Sequence, residues 1–216
     1  MDSTNSYIKQ LYTARKTIIS YLKNNDYDCS DYENFCFEEI NIMKDTDNLS
    51  FEVKNSLDEK CYVKYEIDIT FKHNVLKKNT ITSLKTDIFD SVDGKEPILT
   101  KKDTLFIVTT NYSEDSVHAM IKNSWEQEGI FIVLFNLAHL QINILQHTYV
   151  PKHIKLTDDE AAEFYKKFNV NETQIPEISR FDPVARALCL RPKQLCKITR
   201  YDKISYKNDY YRICVS

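Results

Sequence analysis

The segment from His147 to Glu160, HTYVPKHIKLTDDE, changes from an extended pattern to a helical one and so constrains the fold on both sides of it. Pro151 has no N–H for an inner sheet ladder, and it disfavours a helical conformation at the residue before it. We therefore expect residues 147–156 to run extended, along a sheet edge or between domains. Thr157 and Glu160 have the spacing of a capping box, which predicts that a helix begins at Thr157.

The residues before this segment follow the pattern of an α/β domain. An amphipathic helix is predicted over Tyr7–Leu22, and the strict alternation over Cys61–Phe71 predicts a half-buried strand. Two apolar runs, Leu105–Thr109 and Ile130–Phe135, flank a predicted helix that ends at Gly129. Buried strands with a helix between them favour a parallel, right-handed crossover.

Weaker patterns complete this first domain. The polar and acidic segment Tyr27–Glu59 predicts short elements between variable loops. Spacing over Thr80–Val92 indicates a helix, and the dipeptide Asp93-Gly94 indicates a turn. A further strand is expected over Leu140–Leu145.

The residues after Thr157 predict a small α+β domain. The first helix should end near Phe168, and Asp182-Pro183 should begin a short helix, because Asp is a favourable N-cap and Pro fits the first helical position. Leu195–Arg200 and Tyr210–Val215 then read as two antiparallel strands.

Composition excludes several classes of protein. The longest apolar run is too short to span a bilayer and no apolar leader follows Met1, so we expect neither membrane insertion nor secretion. The six cysteines have no CxxC spacing, and we expect them to be reduced. His147 and His153 are more typical of interfacial or partly buried histidines than of metal ligands or acid–base groups. No metal site and no cofactor is predicted.

Signals of catalysis are weak. Two glycines do not suffice for a phosphate-binding loop, and no nucleophile elbow or zinc motif occurs. A metal-dependent nuclease remains an alternative, because Asp58-Glu59-Lys60, with Asp45 or Asp47 upstream, has the residue types that a metal and a base require. The triplet precedes the first clear strand, so a loop position is expected for it.

The C-terminal residues favour binding instead. Charge is acidic between Asn24 and Thr70 and basic between Arg180 and Ser216, which fits either two solvated faces or a functional basic surface. Basic residues alternate there with tyrosines in a way that suits an acidic partner or phosphates: Arg191, Lys193, Lys197, Arg200, Lys203, Lys207 and Arg212, with Tyr201, Tyr206, Tyr210 and Tyr211. A free-standing nucleic-acid-binding regulator is therefore a second alternative.

A resemblance to a known family covers essentially the full chain and is strongest from about Leu140 onward. The runs LQINILQHTYVPKHIKLTDDE, QIPEISRFDPVAR, KITR and YYRIC resemble the RNA polymerase subunit that the three eukaryotic nuclear polymerases share, whose C-terminal part corresponds to a smaller subunit of the archaeal polymerase. The pattern H-x-x-V-P-x-H with DPVAR about thirty residues later is the specific part. LYTARKTIISYLKNNDY resembles the first helix of the family, and FNLAHLQINI resembles the end of its jaw domain.

The resemblance implies a two-domain, non-catalytic subunit of a DNA-directed RNA polymerase. Residues 1–143 would form an α/β jaw domain with a nuclease-like three-layer fold beside the downstream duplex DNA. Residues 144–216 would form a small α+β assembly domain that docks on the largest subunit. The matched motif residues are His147, Val150, Pro151, His153, Asp182, Pro183, Val184, Ala185, Arg186 and Arg212. Arg15 and Lys16 are candidates for weak phosphate contacts by the jaw, unless they form a solvated helix face.

Three positions depart from the family pattern. The family usually has glycine where this chain has Cys189, Lys193 and Tyr206, so any turn of positive φ at these positions must be rebuilt or strained. Together with the glycine-poor composition, this suggests a large DNA virus or an AT-rich protist as the source. The expected compartment is the nucleus for a cellular protein, and the host cytoplasm or the virion for a viral one.

Overall fold

The computed structural model describes residues 2–67, 75–91, 96–204 and 206–216. The chain divides into two compact units, Met1–Ile142 and Asn143–Ser216, which we call the N-terminal unit and the C-terminal unit. No helix in the described ranges has the length and apolar character that spanning a bilayer requires.

The main sheet of the N-terminal unit joins an antiparallel half to a parallel half. The described strands are β1 (Tyr27–Asp28), β2 (Phe51–Asn55), β3 (Lys60–Glu66), β4 (Val75–Leu76), β5 (Thr104–Thr109), β6 (Asn111–Tyr112) and β7 (Phe131–Asn136). The sheet has the order β1-β2-β3-β5-β7, with β1, β2 and β3 antiparallel and β3, β5 and β7 parallel. Strands β4 and β6 form a separate parallel pair. Because β5 is buried at every position, both faces of the parallel half are covered.

Four α-helices occur in the described part of this unit: α1 (Asp2–Asn24), α2 (Phe37–Asp45), α3 (Lys78–Phe89) and α4 (Glu114–Asn123). The apolar stripe of α1 is fully buried at Ala14, Ile18 and Leu22. A π-helical turn over Ser124–Glu128 extends α4 and ends at Gly129, whose φ of 74° lies in the left-handed region that glycine adopts without steric cost.

Most predictions for this unit are confirmed. Helix α4 connects the parallel strands β5 and β7, as the apolar runs predicted. The strand predicted over Cys61–Phe71 is present to Glu66, whereas residues 68–71 and the turn predicted at Asp93-Gly94 lie outside the described residues.

The strand predicted over Leu140–Leu145 is wrong. Two 3-10 turns, His139–Gln141 and Ile144–Gln146, occupy this segment. The Asn143 side chain accepts a hydrogen bond from the Leu145 N–H at 3.1 Å, and Gln141 Nε2 donates to Leu137 O at 2.8 Å. These local side-chain hydrogen bonds compete with a sheet ladder and favour turns.

The C-terminal unit is a four-stranded sheet with one helix on each face. Its elements are β8 (Lys152–Lys155), α5 (Asp158–Phe168), β9 (Glu177–Ser179), α6 (Pro183–Ala187), β10 (Leu195–Asp202) and β11 (Tyr206–Val215). The strand order is β8-β10-β11-β9, in which β9 and β11 are parallel and the other pairs are antiparallel. Helices on both faces of a mainly antiparallel sheet agree with the α+β class predicted for this part.

Alternate residues of the inner strands bury against different helices. Cys196, Ile198 and Cys214 pack with Val184 and Ala185 of α6, and we call this side the α6 face. Leu195 and Ile213 belong to the opposite side, the α5 face. Their cluster packs against residues of α5 and its flanks: Leu156, Ala161, Phe164, Tyr165 and Val170.

The prediction for the segment around Pro151 is confirmed in its second half and corrected in its first. Strand β8 runs extended at an edge of the sheet, and α5 begins with the predicted capping box, in which Glu160 N donates to Thr157 Oγ1 at 3.3 Å and Thr157 N to Glu160 Oε2 at 2.8 Å. Residues 147–150 form a turn instead, closed by Val150 N donating to His147 O at 2.9 Å.

Candidate functional site

The turn before β8 is held by its own residues. Tyr149 N donates to His147 Nδ1 at 3.3 Å, and the two rings are 5.7 Å apart. Val150 packs against the core of the α6 face, and Pro151 leads directly into β8. Val150 therefore anchors the turn while Tyr149 remains 90% exposed.

His153 lies half-buried on the α6 face, opposite Ile198 of β10. Its Nδ1 is 2.6 Å from Pro151 O, a distance that fits Nδ1 donating to that carbonyl. Burial lowers the pKa of His153, and Arg200 and Arg212 act in the same direction, while the hydrogen bond to Pro151 and the charge of Asp182 oppose them. At neutral pH the ring is therefore mainly neutral.

The DPVAR motif builds the helix that covers this face. The Asp182 carboxylate caps α6 by accepting from Val184 N at 2.8 Å and Ala185 N at 3.4 Å. Pro183 occupies the first turn, where its missing N–H costs nothing. Val184 and Ala185 are buried, and the partly buried Arg186 lies in the last turn, where a cation favours the carboxyl end of the helix.

Arg212 holds the two parallel strands together. It is opposite Cys196 in the register of β10 and β11. Its Nη1 donates to Glu177 O of β9 at 2.8 Å. Asp182, Val184, Ala185 and Arg212 therefore shape the C-terminal unit from within rather than presenting reactive groups at its surface.

The three positions that depart from the family pattern all adopt positive φ, at 50° for Cys189, 75° for Lys193 and 55° for Tyr206. After α6, Cys189 N donates to Arg186 O and Leu190 N to Ala185 O, which is the hydrogen-bond pattern of a Schellman cap. Lys193 follows Pro192 in a turn closed by Gln194 N donating to Arg191 O at 3.1 Å. The turns expected for glycine are retained, and side chains with a Cβ bear the strain.

An open groove of about 620 Å³ lies at the start of β8. We call it the β8 groove. It is lined by the turn and the first residue of β8 on one side and by the end of β10 on the other: Thr148, Tyr149, Val150, Pro151, Lys152, Thr199, Arg200 and Tyr201. Tyr201 is 70% exposed, and Arg200 lies over the ring of Tyr210 with its guanidinium carbon 5.2 Å from the ring centroid.

The register of β10 and β11 divides the basic C-terminal residues between the two faces. Lys197 is on the α5 face, where its Nζ is 2.9 Å from Asp209 Oδ2. Arg200 and Arg212 are on the α6 face. Sequence reasoning identified Arg200 and Tyr201 as part of the basic run but did not identify Tyr149 and Lys152, although both flank the Val150-Pro151 pair that it had singled out.

In the N-terminal unit, the expectation of a surface Arg15 is corrected. Arg15 is only 3% exposed, donates from Nη1 to Leu49 O at 2.9 Å, and lies over the rings of Phe35 and Phe51. A guanidinium enclosed in this way does not reach a phosphate. Lys16 is exposed, with its Nζ 4.4 Å from the centroid of the Tyr12 ring.

Asp58 and Glu59 of the nuclease alternative lie in the turn between β2 and β3, Lys60 begins β3, and Asp45 is the last residue of α2. Asp58, at φ 59°, pairs with Lys54 at 3.6 Å. Lys60 Nζ is 3.2 Å from Glu52 Oε1, and Glu59 accepts from Asn55 Nδ2 at 3.0 Å. These side chains stabilise a hairpin. Among the described residues, no three His, Cys, Asp or Glu side chains come together as metal ligands would.

All six cysteines are free thiols, and only Cys36 is exposed. Burial raises the pKa of Cys29 and Cys196 to about 11, and that of Cys189 and Cys214 to about 12. Because the thiolate is the reactive form, these four thiols are unreactive at neutral pH.

Comparison with known proteins identifies the relatives of the chain. The family described as RNA polymerase Rpb5, C-terminal domain, matches residues 142–214. The chain is 28% identical over 210 residues to the DNA-directed RNA polymerases I, II, and III subunit rpabc1 of Dictyostelium discoideum, across 96% of this chain and 98% of that protein. It is 26% identical over 213 residues to the DNA-directed RNA polymerases IV and V subunit 5B of Arabidopsis thaliana, across 95% of this chain and 89% of that protein.

An archaeal protein matches about a third of the chain. The DNA-directed RNA polymerase subunit Rpo5 of Aeropyrum pernix is 38% identical over 73 residues, which are 34% of this chain and 81% of that protein. The match covers most of the length of Rpo5. The two eukaryotic matches extend the similarity over nearly all of this chain. The resemblance seen in the sequence is thereby confirmed: the chain belongs to the Rpb5 family of DNA-directed RNA polymerase subunits.

Proposed function

We propose that this protein is a non-catalytic subunit of a multisubunit DNA-directed RNA polymerase and acts in DNA-templated transcription. The observation that carries the proposal is the family match over residues 142–214, because it coincides with the compact C-terminal unit Asn143–Ser216. Relatives that align over nearly the whole chain are themselves named as RNA polymerase subunits.

In this proposal the C-terminal unit is the assembly domain and docks on the largest polymerase subunit. Its motif residues Asp182, Val184, Ala185 and Arg212 make internal contacts, so they fix the shape of the unit. Docking then falls to exposed side chains around His147 and Pro151 and at the end of the sheet. Tyr149 and Tyr201 are of the residue type that dominates the energetics of protein interfaces.

The N-terminal unit is proposed to be the jaw, with a nuclease-like three-layer fold that has no active site of its own, next to the downstream duplex DNA. Its parallel strands β3, β5 and β7, with β5 covered on both faces, support this assignment. Contact with DNA would be to phosphates, weak, dependent on salt and indifferent to sequence. Lys16 can take part in it, whereas the buried Arg15 cannot.

The compartment follows from the polymerase that contains the subunit. For a cellular enzyme we propose the nucleus, and for a viral enzyme the host cytoplasm or the virion. The proposed partners are the largest subunit, other subunits of the same polymerase and the downstream DNA, with no membrane and no cofactor.

The proposal is tested by purifying the tagged full-length chain from cells that make its transcription machinery, washing at high salt and identifying what remains bound by mass spectrometry. Recovery of the largest polymerase subunit in stoichiometric amount is expected. Recovery of the chain without any polymerase subunit would contradict the proposal.

The purified chain also tests the two alternatives. Mg²⁺-dependent cutting of DNA that is lost in Asp58→Ala or Lys60→Ala would favour a nuclease. A dissociation constant for nucleic acid tighter than about 1 μM at physiological salt, without any polymerase, would favour a free-standing regulator. We expect neither result.

A further inference from the structure

Strand β8, which begins at the β8 groove, has an open sheet edge. Within the described residues β8 pairs with β10 on one side only, because the strand order begins at β8. Leu156 N donates to Leu195 O at 3.0 Å, so in this antiparallel register the backbone of Lys152, Ile154 and Leu156 faces β10. The N–H and C=O groups of His153 and Lys155 therefore face outward, where a further strand would pair.

The exposed charged side chains of β8 are both cationic, while the charge of Asp182 acts on His153 from α6. Lys152 and Lys155 of β8 are exposed on opposite faces of the sheet, and Arg200 of β10 lines the β8 groove together with Lys152. The two charged side chains that line the β8 groove, Lys152 and Arg200, are both cationic. Lysines on an edge strand repel the edge of another copy and discourage non-specific pairing. The acidic side chains of an added strand would instead be attracted to the same lysines.

Two exposed aromatic side chains line the groove. Tyr149 is 90% exposed and Tyr201 is 70% exposed, and both line the groove. Tyrosine rings supply large contact areas at low cost in conformational entropy. A peptide bound here would contact these rings and could pair with the outward backbone groups of His153 and Lys155.

We propose that the β8 groove and the outer edge of β8 bind an extended acidic segment of a partner polypeptide, which adds to the sheet as a fifth strand next to β8. This inference rests on the docking role proposed for the C-terminal unit. Main-chain hydrogen bonds to an exposed edge provide affinity in this mode of recognition, and the flanking side chains provide specificity. Single-stranded nucleic acid would use the tyrosines and cations but has no strand backbone with which to pair at His153 and Lys155.

A direct test uses the purified full-length chain and a fluorescent ten-residue peptide rich in Glu, Val and Tyr. The control peptide has Gln in place of every Glu. We expect saturable binding of the acidic peptide, weakening as salt rises, and at least tenfold weaker binding of the Gln peptide. Amide signals of His153 and Lys155 should shift on binding, while those of α5 should not. Equal binding of both peptides, or no binding of either, would overturn the inference.

Two pairs of variants separate charge from backbone pairing. Lys152→Glu should weaken binding of the acidic peptide roughly tenfold, whereas Lys166→Glu, a change of the same type at an exposed site of α5, should not. Lys155→Pro removes an outward N–H but no bond to β10, so it should weaken binding well beyond Lys155→Ala. Circular dichroism checks that each variant folds.

The remaining outcomes distinguish this inference from the proposed function. Tighter binding of a fifteen-nucleotide oligothymidine than of the acidic peptide would assign the groove to nucleic acid and overturn the acidic-strand proposal. If the wild-type chain and Lys152→Glu retain the polymerase equally at physiological salt, the groove is not the docking site and the acidic-strand proposal fails, although the polymerase assignment stands. If the wild-type chain retains no polymerase subunit, the polymerase assignment itself fails, whatever the peptides do.

Discussion

Arg15 lies over the ring of Phe51, with its guanidinium carbon 4.4 Å from the ring centroid. The side chain thus joins α1 to β2, and its hydrogen bond to Leu49 O satisfies a carbonyl just before that strand. A position read from the sequence as a possible DNA contact therefore stabilises the N-terminal unit.

Arg15→Met should destabilise the N-terminal unit by about 2 kcal/mol, because it removes the donor to a buried carbonyl while keeping the aliphatic stem. Urea unfolding followed by the fluorescence of Trp125, the single tryptophan of the chain, measures the effect. Lys16→Met, next to it on the exposed face, should change the stability by less than about 0.5 kcal/mol. Equal effects of the two variants would refute the buried role.

Lys193→Gly should make the C-terminal unit more stable than Lys193→Ala by roughly 1 kcal/mol. Glycine has no Cβ and therefore avoids the steric strain that a Cβ causes at φ 75°. Both variants remove the same exposed side chain, so their difference isolates the backbone strain. Thermal unfolding of both variants supplies the comparison. An alanine variant as stable as the glycine variant would show that the turn bears no strain.

Asp182→Ala should cost about 1 kcal/mol, since the N–H groups of Val184 and Ala185 lose their acceptor at the start of α6. Asp182→Asn should retain most of the stability, because asparagine is also a favourable N-cap. Chemical denaturation of the two variants beside wild type checks the ranking. A large loss of stability in both variants would indicate that the negative charge of Asp182, rather than its hydrogen bonds as an N-cap, stabilises the unit.

His153 should make the C-terminal unit less stable in acid. Burial lowers its pKa in the folded state, so the unfolded state binds the proton more tightly. The stability should therefore begin to fall as the pH drops through the ordinary value near 6.5, and the loss is complete below the folded-state pKa. His153→Gln should lose less stability between pH 7.5 and pH 5 than wild type, as measured by urea unfolding at each pH. Equal losses of stability in wild type and His153→Gln over this pH range would contradict the role of His153.

Thiol labelling at neutral pH should show one fast cysteine. Cys36 is exposed, whereas the other five are buried. Titration of the native chain with a thiol reagent should give one rapid equivalent, and Cys36→Ser should abolish it. Five further equivalents should appear on unfolding. A fast phase that survives in Cys36→Ser would mean that a second thiol is open to solvent.

Elements with a local cause were predictable from the sequence. The capping box of α5 depends on two residues three positions apart, and the Asp182 cap depends on its immediate neighbours. The burial of Arg15 was not predictable, since Phe35 and Phe51 reach it from twenty and thirty-six positions away. Strand β2 was missed because its five residues lie in a polar, acidic stretch.

The candidate site also has parts that the sequence predicts and parts that it does not. The resemblance identified the residues around Pro151 and the DPVAR motif, and most of these shape the unit. The groove depends on the pairing of β8 with β10, which brings Lys152 opposite Thr199. No pattern within either segment shows that Tyr149 and Tyr201 share a groove.

Strand β11 is an inner strand, yet it follows both β9 and β10 in the chain. During synthesis on the ribosome, β9 and α6 emerge before the strand that they need. Until β11 has left the exit tunnel, β9 has no pairing partner, and the hydrogen bond from Arg212 to Glu177 O cannot form. A nascent chain therefore completes this sheet only after β11 has emerged, and a product truncated before β11 would expose unpaired strands to chaperones and proteases.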